Sequence, residues 1–217
     1  LYTRVKSLTN GIYGSVLCAE DAMEDAELFD RNVIVDLSRV SSMETKALLM
    51  GILVTKLQEY RMCSGVMNSP LRHVTVLEEA HNLLRRTSFE QAQEGANLQG
   101  KSVEMLANAI AELRTYGEGF IIADQAPGLL DASVIRNTNT KIILRLPEEE
   151  DRVLVGRSAG LKEDQISELA KLPLGVAAVY QNDWPEAVLC QMEKYPTPTA
   201  MYCKPTQSGR TVNTGFV

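Results

Sequence analysis

Short apolar runs alternate with amphipathic stretches along most of this chain. The runs occupy residues 16–19, 33–35, 74–77, 120–123 and 142–144. Continuous apolar runs of this length are typical of strands buried on both faces of a parallel sheet. Between them, residues 41–62 and 103–117 place apolar side chains at helical spacing. Ser41 and Glu44 have the S-x-x-E spacing of a capping box. The pattern predicts an α/β layered fold with a mainly parallel sheet flanked by helices.

The rest of the chain fills in this plan. Residues 85–101 are polar and rich in Gln and Gly, which indicates a loop or insertion. A short helix is predicted within residues 162–175, and two strands paired as a hairpin within residues 175–192. From Tyr195 onward Pro, Thr, Ser and Gly dominate. We therefore expect one α/β unit over residues 1–194 and an extended tail or linker over residues 195–217.

Composition sets broad limits on function. The chain has 217 residues, of which 45% are hydrophobic and 23% charged, as in an ordinary globular domain. Its net charge of -6 gives no overall basic field for nucleic acid, although a ring-shaped motor concentrates positive charge in its pore. No apolar run approaches the ~20 residues that cross a bilayer. The four cysteines are widely spaced, without the C-x-x-C of a zinc site. We expect Cys18, Cys63 and Cys190 to be small buried hydrophobes, which suits a reducing, cytoplasmic compartment.

Two adjacent acids, Glu78 and Glu79, follow the apolar run 74–77 directly. Ligands of parallel α/β sheets bind at the carboxyl ends of the strands, so this is where chemistry is expected. Two neighbouring carboxylates are tolerable when a divalent cation offsets their repulsion. One acid can then hold Mg²⁺ while the other deprotonates a water molecule. The alternative is that the pair begins a helix, where its charge complements the helix dipole.

Two further residues flank the next strand. Gln125 follows it and can bond a γ-phosphate or the attacking water; alternatively it only starts the turn before Pro127. Arg114 precedes it, at the end of an amphipathic helix that Gly117 and Gly119 interrupt. Its guanidinium either complements the helix C-terminal dipole or reaches a neighbouring subunit's phosphate as an arginine finger.

Five stretches together carry a family resemblance. They are "VIVDLSRVSSMETKALLMGILVTKLQEYR", "VTVLEEAHNLL", "LRTYGEGFIIADQAP", "VIRNTNTKIILRLPEEEDR" and "GLKEDQISELAKLPLGVAAVY", in this order. They resemble the HerA/FtsK superfamily of P-loop ATPases, and most of all its HerA-type branch, which includes the ATPases of conjugation and type IV secretion. The likeness covers about residues 1–192. It implies a RecA-like P-loop NTPase fold and an ATP-hydrolysing DNA translocase or helicase.

The resemblance implies roles for the matched residues. Glu78 would be the Walker B acid that supports Mg²⁺ through water, and Glu79 the catalytic base. Gln125 would be the sensor that contacts the nucleotide, and Arg114 the arginine finger acting on the neighbouring subunit. The family also implies ATP and Mg²⁺ as cofactors, a homo-hexameric ring, DNA in the central channel, and room for a nuclease or effector partner.

The phosphate-binding loop G-x-x-x-x-G-K-S/T is missing from this sequence. In the family it lies upstream of the matched region. We therefore expect this chain to be the C-terminal part of a longer protein, with weak ATP binding of its own, because the loop's N–H groups and Lys carry most of the phosphate affinity. The alternatives are a conjugation or secretion motor and a non-catalytic scaffold without nucleotide binding.

Three basic residues are candidates for DNA contact. Arg85, Arg86 and Lys101 lie in the polar segment that follows the paired acids. In a ring they would face the pore and bind phosphates. The alternative is a solvated loop with no ligand.

Overall fold

A computed structural model describes residues 23–86 and 96–195, together with residues 6, 9–11, 14, 18 and 19. Its helices are α1 (Asp25–Phe29), α2 (Met43–Ser64), α3 (Ala96–Leu113), α4 (Ala132–Asn137), α5 (Glu149–Ser158) and α6 (Glu163–Glu168). Its strands are β1 (His73–Glu78), β2 (Glu118–Ala123), β3 (Thr140–Ile143), β4 (Val176–Gln181) and β5 (Val188–Gln191). Apart from Tyr195, the predicted tail lies outside the described residues.

The strands form two small sheets in the described part of the chain. β1 and β2 pair in parallel, with His73 opposite Glu118 and Glu78 opposite Ala123. Both strands therefore end at the same edge, side by side. β3, β4 and β5 form an antiparallel sheet in that order, which confirms the predicted hairpin of β4 and β5.

The two long helices differ from the predicted ones at their starts. α2 is capped by Ser42, whose Oγ accepts a hydrogen bond from the Thr45 backbone at 3.3 Å, so the cap lies one residue after the predicted Ser41. α3 begins at Ala96, inside the segment predicted as a loop, and Lys101 therefore lies on a helix. At its other end a 3-10 turn, Arg114–Tyr116, leads to Gly117 in the left-handed conformation, as predicted for the stop.

Side chains from α2, α3 and α4 pack on one face of the parallel pair. The main buried cluster consists of Val54, Leu77, Ala80, Leu83, Leu84, Val103, Ala107, Leu130, Val134 and Ile135. A second cluster, under the antiparallel sheet, consists of Ile143, Ala159, Leu169, Leu172 and Ala178. The opposite face of the parallel pair is open, since Val74, Val76 and Ile121 are about half exposed. The expectation that these strands are covered on both faces is wrong for the described residues.

A buried carboxylate joins the two parallel strands at their starting ends. The side chain of Glu118 is fully buried and accepts hydrogen bonds from Arg61 Nε at 2.9 Å and Thr75 Oγ1 at 2.6 Å. Its Oε1 also lies 2.7 Å from Nδ1 of His73, the residue paired with it in the ladder. Arg61 additionally binds Asp30, at 2.6 Å. Helix α2 and both strands are thus held in one register by a single network.

Two predictions about apolar residues are wrong. Residues 32–37 form no strand in the structure, and Ile34 is 94% exposed. A strand needs a neighbour to bond its N–H and C=O groups, and none of the described residues pairs with this segment. The cysteines are also less buried than expected: Cys18 and Cys63 are exposed and Cys190 is half-buried. Cys63 lies roughly 240° around the helix axis from the buried Leu57, which turns it to solvent.

Helices in the described part of the chain are too short or too polar to cross a membrane.

Candidate functional site

The carboxyl ends of β1 and β2 bring together the predicted residues Glu79 and Gln125 and two neighbouring polar residues, His81 and Asp124. Glu78 is the last residue of β1, and its side chain is exposed. The chain then turns sharply, because Glu79 adopts the left-handed conformation with φ 49° and ψ 49°. A residue with a Cβ pays roughly 1–2 kcal/mol for this backbone. Glu78 is exposed whereas Glu79 is half-buried and accepts a hydrogen bond from Gln125, so the adjacent acids are not equivalent.

The Glu79 side chain is hydrogen-bonded to Gln125, two residues beyond the end of β2. Nε2 of Gln125 donates a hydrogen bond to Oε1 of Glu79 at 2.8 Å. The backbone oxygen of Glu79 accepts two more hydrogen bonds, from the backbone N of Asn82 at 2.9 Å and from its Nδ2 at 2.8 Å. These bonds offset part of the cost of the left-handed turn. The structure thus brings together the predicted base and the predicted sensor.

A buried acid that the sequence analysis did not single out lies behind this pair. The side chain of Asp124 is 3% exposed and accepts hydrogen bonds from the backbone N of His81 at 2.8 Å and of Ala126 at 2.9 Å. Its oxygens also lie 3.0 and 3.1 Å from Nδ1 of His81. Its position in the sequence could have identified it. Asp124 directly follows β2, at the same edge of the sheet as Glu78 and Glu79 at the end of β1.

His81 stands between the two carboxylates. Its Nδ1 lies 3.0 Å from Asp124 and 3.5 Å from Oε2 of Glu79. Ligand atoms of Glu79, His81 and Asp124 all lie within 4.8 Å of one another, close enough to hold a metal ion. However, both oxygens of Asp124 already accept N–H hydrogen bonds. We therefore interpret the group as a hydrogen-bond network.

Arg114 is not part of this edge. It lies in the turn before β2, whereas Gln125 follows β2, and a six-residue strand spans about 20 Å. Its side chain is exposed. Within one chain it is therefore remote from Glu79.

The basic residues divide between the edge of the site and helix α3. Arg85 and Arg86 are exposed, and their backbone is tied to the segment that follows Gln125. Arg85 forms an antiparallel bridge with Leu130, and the backbone N of Arg86 donates to the oxygen of Leu129 at 2.8 Å. Lys101 lies on α3.

Comparison with known proteins gives relatives by sequence and by structure. No family model matches the chain. It is 29% identical over 123 residues to the probable helicase MJECL08 of Methanocaldococcus jannaschii, covering 56% of this chain and 22% of that protein. It is 33% identical over 105 residues to the probable DNA double-strand break repair helicase HerA of the same organism, covering 48% and 19%. The DNA double-strand break repair helicase HerA of Sulfolobus acidocaldarius is 29% identical, covering 56% and 23%. The matched part of this chain thus spans about a fifth of the length of each of these relatives.

Solved structures agree on the fold. The genome packaging NTPase B204 from Sulfolobus turreted icosahedral virus 2, in complex with AMP, superposes with a TM-score of 0.53 at 12% identity, covering 80% of this chain and 73% of that one. Its complex with ATP-gammaS gives the same TM-score, covering 86% and 79%. The predicted α/β fold of P-loop ATPases is confirmed. The chain resembles HerA-type helicases in sequence and P-loop ATPases in fold, as its motifs predict.

Proposed function

We propose that this chain supplies the acid and sensor part of the ATP-hydrolysing site of a HerA-type DNA translocase. One observation carries the proposal: the hydrogen bond between Glu79 and Gln125 at the joined ends of two parallel strands. A base that activates water must be oriented, and its strained backbone and three hydrogen bonds hold Glu79 in one direction. The HerA relatives support DNA as the cargo in preference to a secreted protein.

Glu78 has the properties of a ligand for Mg²⁺. Carboxylate oxygens are the donors that Mg²⁺ takes from proteins, usually together with several water molecules. The Glu78 side chain is exposed, and no described residue bonds its carboxylate. When bound, the ion would neutralise charge on the nucleotide phosphates. Glu78 would hold it through water, as the Walker B acid, leaving Glu79 free to accept a proton.

Gln125 would report the state of the nucleotide. Its amide is exposed, and only one of its two N–H groups is bonded to Glu79, so an arriving phosphate oxygen would bond the second N–H and draw the amide away from Glu79. Breaking this bond would release the Glu79 carboxylate toward the attacking water. Gln125 would thereby contact the nucleotide and regulate the base in one movement.

The remaining roles require an assembly. Arg114 would act as an arginine finger on the neighbouring subunit of a homo-hexameric ring, because it is remote from Glu79 within its own chain. Arg85, Arg86 and Lys101 would contact DNA phosphates in the channel. The backbone bonds of Arg85 and Arg86 to residues 129–130 would connect DNA contact to the sensor segment. The free thiols of Cys18, Cys63 and Cys190 support a reducing compartment.

Measuring ATP hydrolysis with and without duplex DNA, for the complete gene product, tests this function. Glu79→Gln removes the base and keeps the size, so we expect hydrolysis to fall by about 10²–10⁴-fold while ATP still binds. Glu168→Gln, on the exposed surface of α6, is the matched control and should hydrolyse ATP normally. Unchanged DNA-stimulated hydrolysis by Glu79→Gln would show that the assignment is wrong.

A further inference from the structure

The geometry points to Asp124 as a positioning residue that fixes the base and the sensor relative to each other. This inference rests on the proposed function and deepens it. The Asp124 side chain is only 3% exposed, and burying a carboxylate costs free energy unless it is paired and hydrogen-bonded. Asp124 is satisfied by donors from two different segments, so the cost of its burial is offset only when both segments are in place.

The first segment is the turn that carries Glu79. Asp124 binds residue 81 twice, through the backbone N at 2.8 Å and through Nδ1 at 3.0 Å. This fixes the 3-10 turn Ala80–Asn82 that directly follows Glu79. It also fixes the ring plane of His81, whose Nδ1 lies 3.5 Å from the Glu79 carboxylate. The base is thus oriented by a carboxylate that is itself almost fully buried.

The second segment is the loop that carries Gln125. The other oxygen of Asp124 accepts a hydrogen bond from the backbone N of Ala126 at 2.9 Å, across Gln125. This local bond sets the backbone direction of the sensor, as Asp side chains do in turns. One carboxylate therefore determines the distance across which Gln125 reaches Glu79.

Because Asp124 is hydrogen-bonded to both segments, a movement of one segment affects the other. If the sensor moves when the nucleotide changes, the movement is transmitted to the base through Asp124 and His81 as well as through the direct Gln125 contact. Loss of Asp124 should therefore slow chemistry and leave nucleotide affinity intact. A displacement of about 1 Å in a catalytic group can cost about 10²-fold in rate.

The test compares kcat and KM for ATP in the complete gene product. Asp124→Asn keeps the shape of the side chain, but an amide can accept at only one oxygen. The hydrogen bonds to one of the two segments, residue 81 or Ala126, are therefore lost. We expect kcat to fall by about 10²-fold with KM for ATP unchanged. The matched control is Asp131→Asn: Asp131 caps α4 by accepting from Ser133 at 2.9 Å, a role that Asn fills equally well.

His81 variants separate positioning from a structural role. His81→Ala should lower kcat, and His81→Asn, which retains an N–H donor near the Nδ1 position, should restore part of it. Because Asp124 acts in part through His81, the losses in kcat of Asp124→Asn and His81→Ala should be less than additive in the double variant. If Asp124→Asn does not fold, as judged by circular dichroism, the His81 variants test the positioning role alone. A kcat for His81→Asn between those of the unchanged protein and His81→Ala supports this role, and equal kcat values for the two variants refute it.

Outcomes for the two proposals are distinct. If Glu79→Gln stops hydrolysis while Asp124→Asn and His81→Ala retain the normal kcat, the positioning role is refuted and the proposed function stands. Additive losses in the double variant, or a rise in KM that accounts for the whole effect, would also refute it. If Glu79→Gln hydrolyses ATP normally, the proposed function itself fails.

Discussion

Replacing Glu118 by Gln should weaken the fold more than any exposed charge substitution in this chain. The Glu118 side chain is fully buried, and it meets three donor side chains at 2.6–2.9 Å. The amide of Gln accepts at one oxygen only and presents N–H groups at the other position. At least one of Arg61 and His73 then faces a donor in place of an acceptor.

The magnitude follows from what Arg61 retains. Breaking one partner out of a buried ion pair costs about 3–5 kcal/mol. Arg61 keeps its 2.6 Å contact with Asp30 and a hydrogen bond to the Phe29 carbonyl, so the lower end applies. We therefore expect a loss of about 3 kcal/mol in the free energy of unfolding. For a chain of this size this loss lowers Tm by about 6–12 °C.

Thermal and urea unfolding followed by circular dichroism measure this change. The control Glu168→Gln breaks the ion pair with Lys171, whose side chains are 63% and 70% exposed, and should cost less than about 0.5 kcal/mol. Equal losses for the two variants would refute the reasoning, because burial would then not matter. A loss confined to the Glu118 variant would support it.

Two other predictions concern pH and backbone conformation. The hydrogen bond from Tyr60, and then that from Arg61, lowers the pKa of Asp30, so its contribution to stability is present above about pH 3.9 and is lost as pH falls through its folded pKa. Asp30→Asn should therefore flatten the fall of the urea midpoint below about pH 3.9, and an unchanged slope in that range would contradict this assignment. Gly117 and Gly160 both have left-handed backbones, at φ 83° and 70°, but a Cβ at Gly117 would collide with the Pro70 carbonyl while one at Gly160 would meet nothing. Gly160→Ala should cost about 1–2 kcal/mol and Gly117→Ala clearly more, so equal urea midpoints would show that the predicted collision is relieved at no cost.

Sequence reasoning located the two strand ends that form the candidate site, because strands and their ends are local properties. The run before Glu78 and the run before Gln125 were recognisable as strands, and parallel pairing brings their ends together without further information. The helix stop at Gly117 was equally local. These features depend on residues close to one another in the chain, and the structure confirms them.

Features that depend on distant partners were missed. The role of Asp124 as an acceptor requires residue 81, 43 positions away, and no periodicity shows it. Residues 33–35 have the composition of a strand, yet strand formation requires a neighbour that the described residues do not provide. The start of α3 at Ala96 was hidden because its first turns are polar and contain Gly100, although packing of Val103 and Ala107 stabilises the helix further on.

The left-handed backbone of Glu79 sets function against stability in any selection experiment. Glycine adopts this conformation freely, so Glu79→Gly relieves strain and would be enriched in a library screened for thermal resistance alone. The same substitution deletes the carboxylate that Gln125 binds. With Glu79 as the proposed base, a thermostable variant obtained by such screening would therefore tend to lack ATP hydrolysis. Persistence of Glu at this position through many generations of stability selection would support the proposed role of its carboxylate.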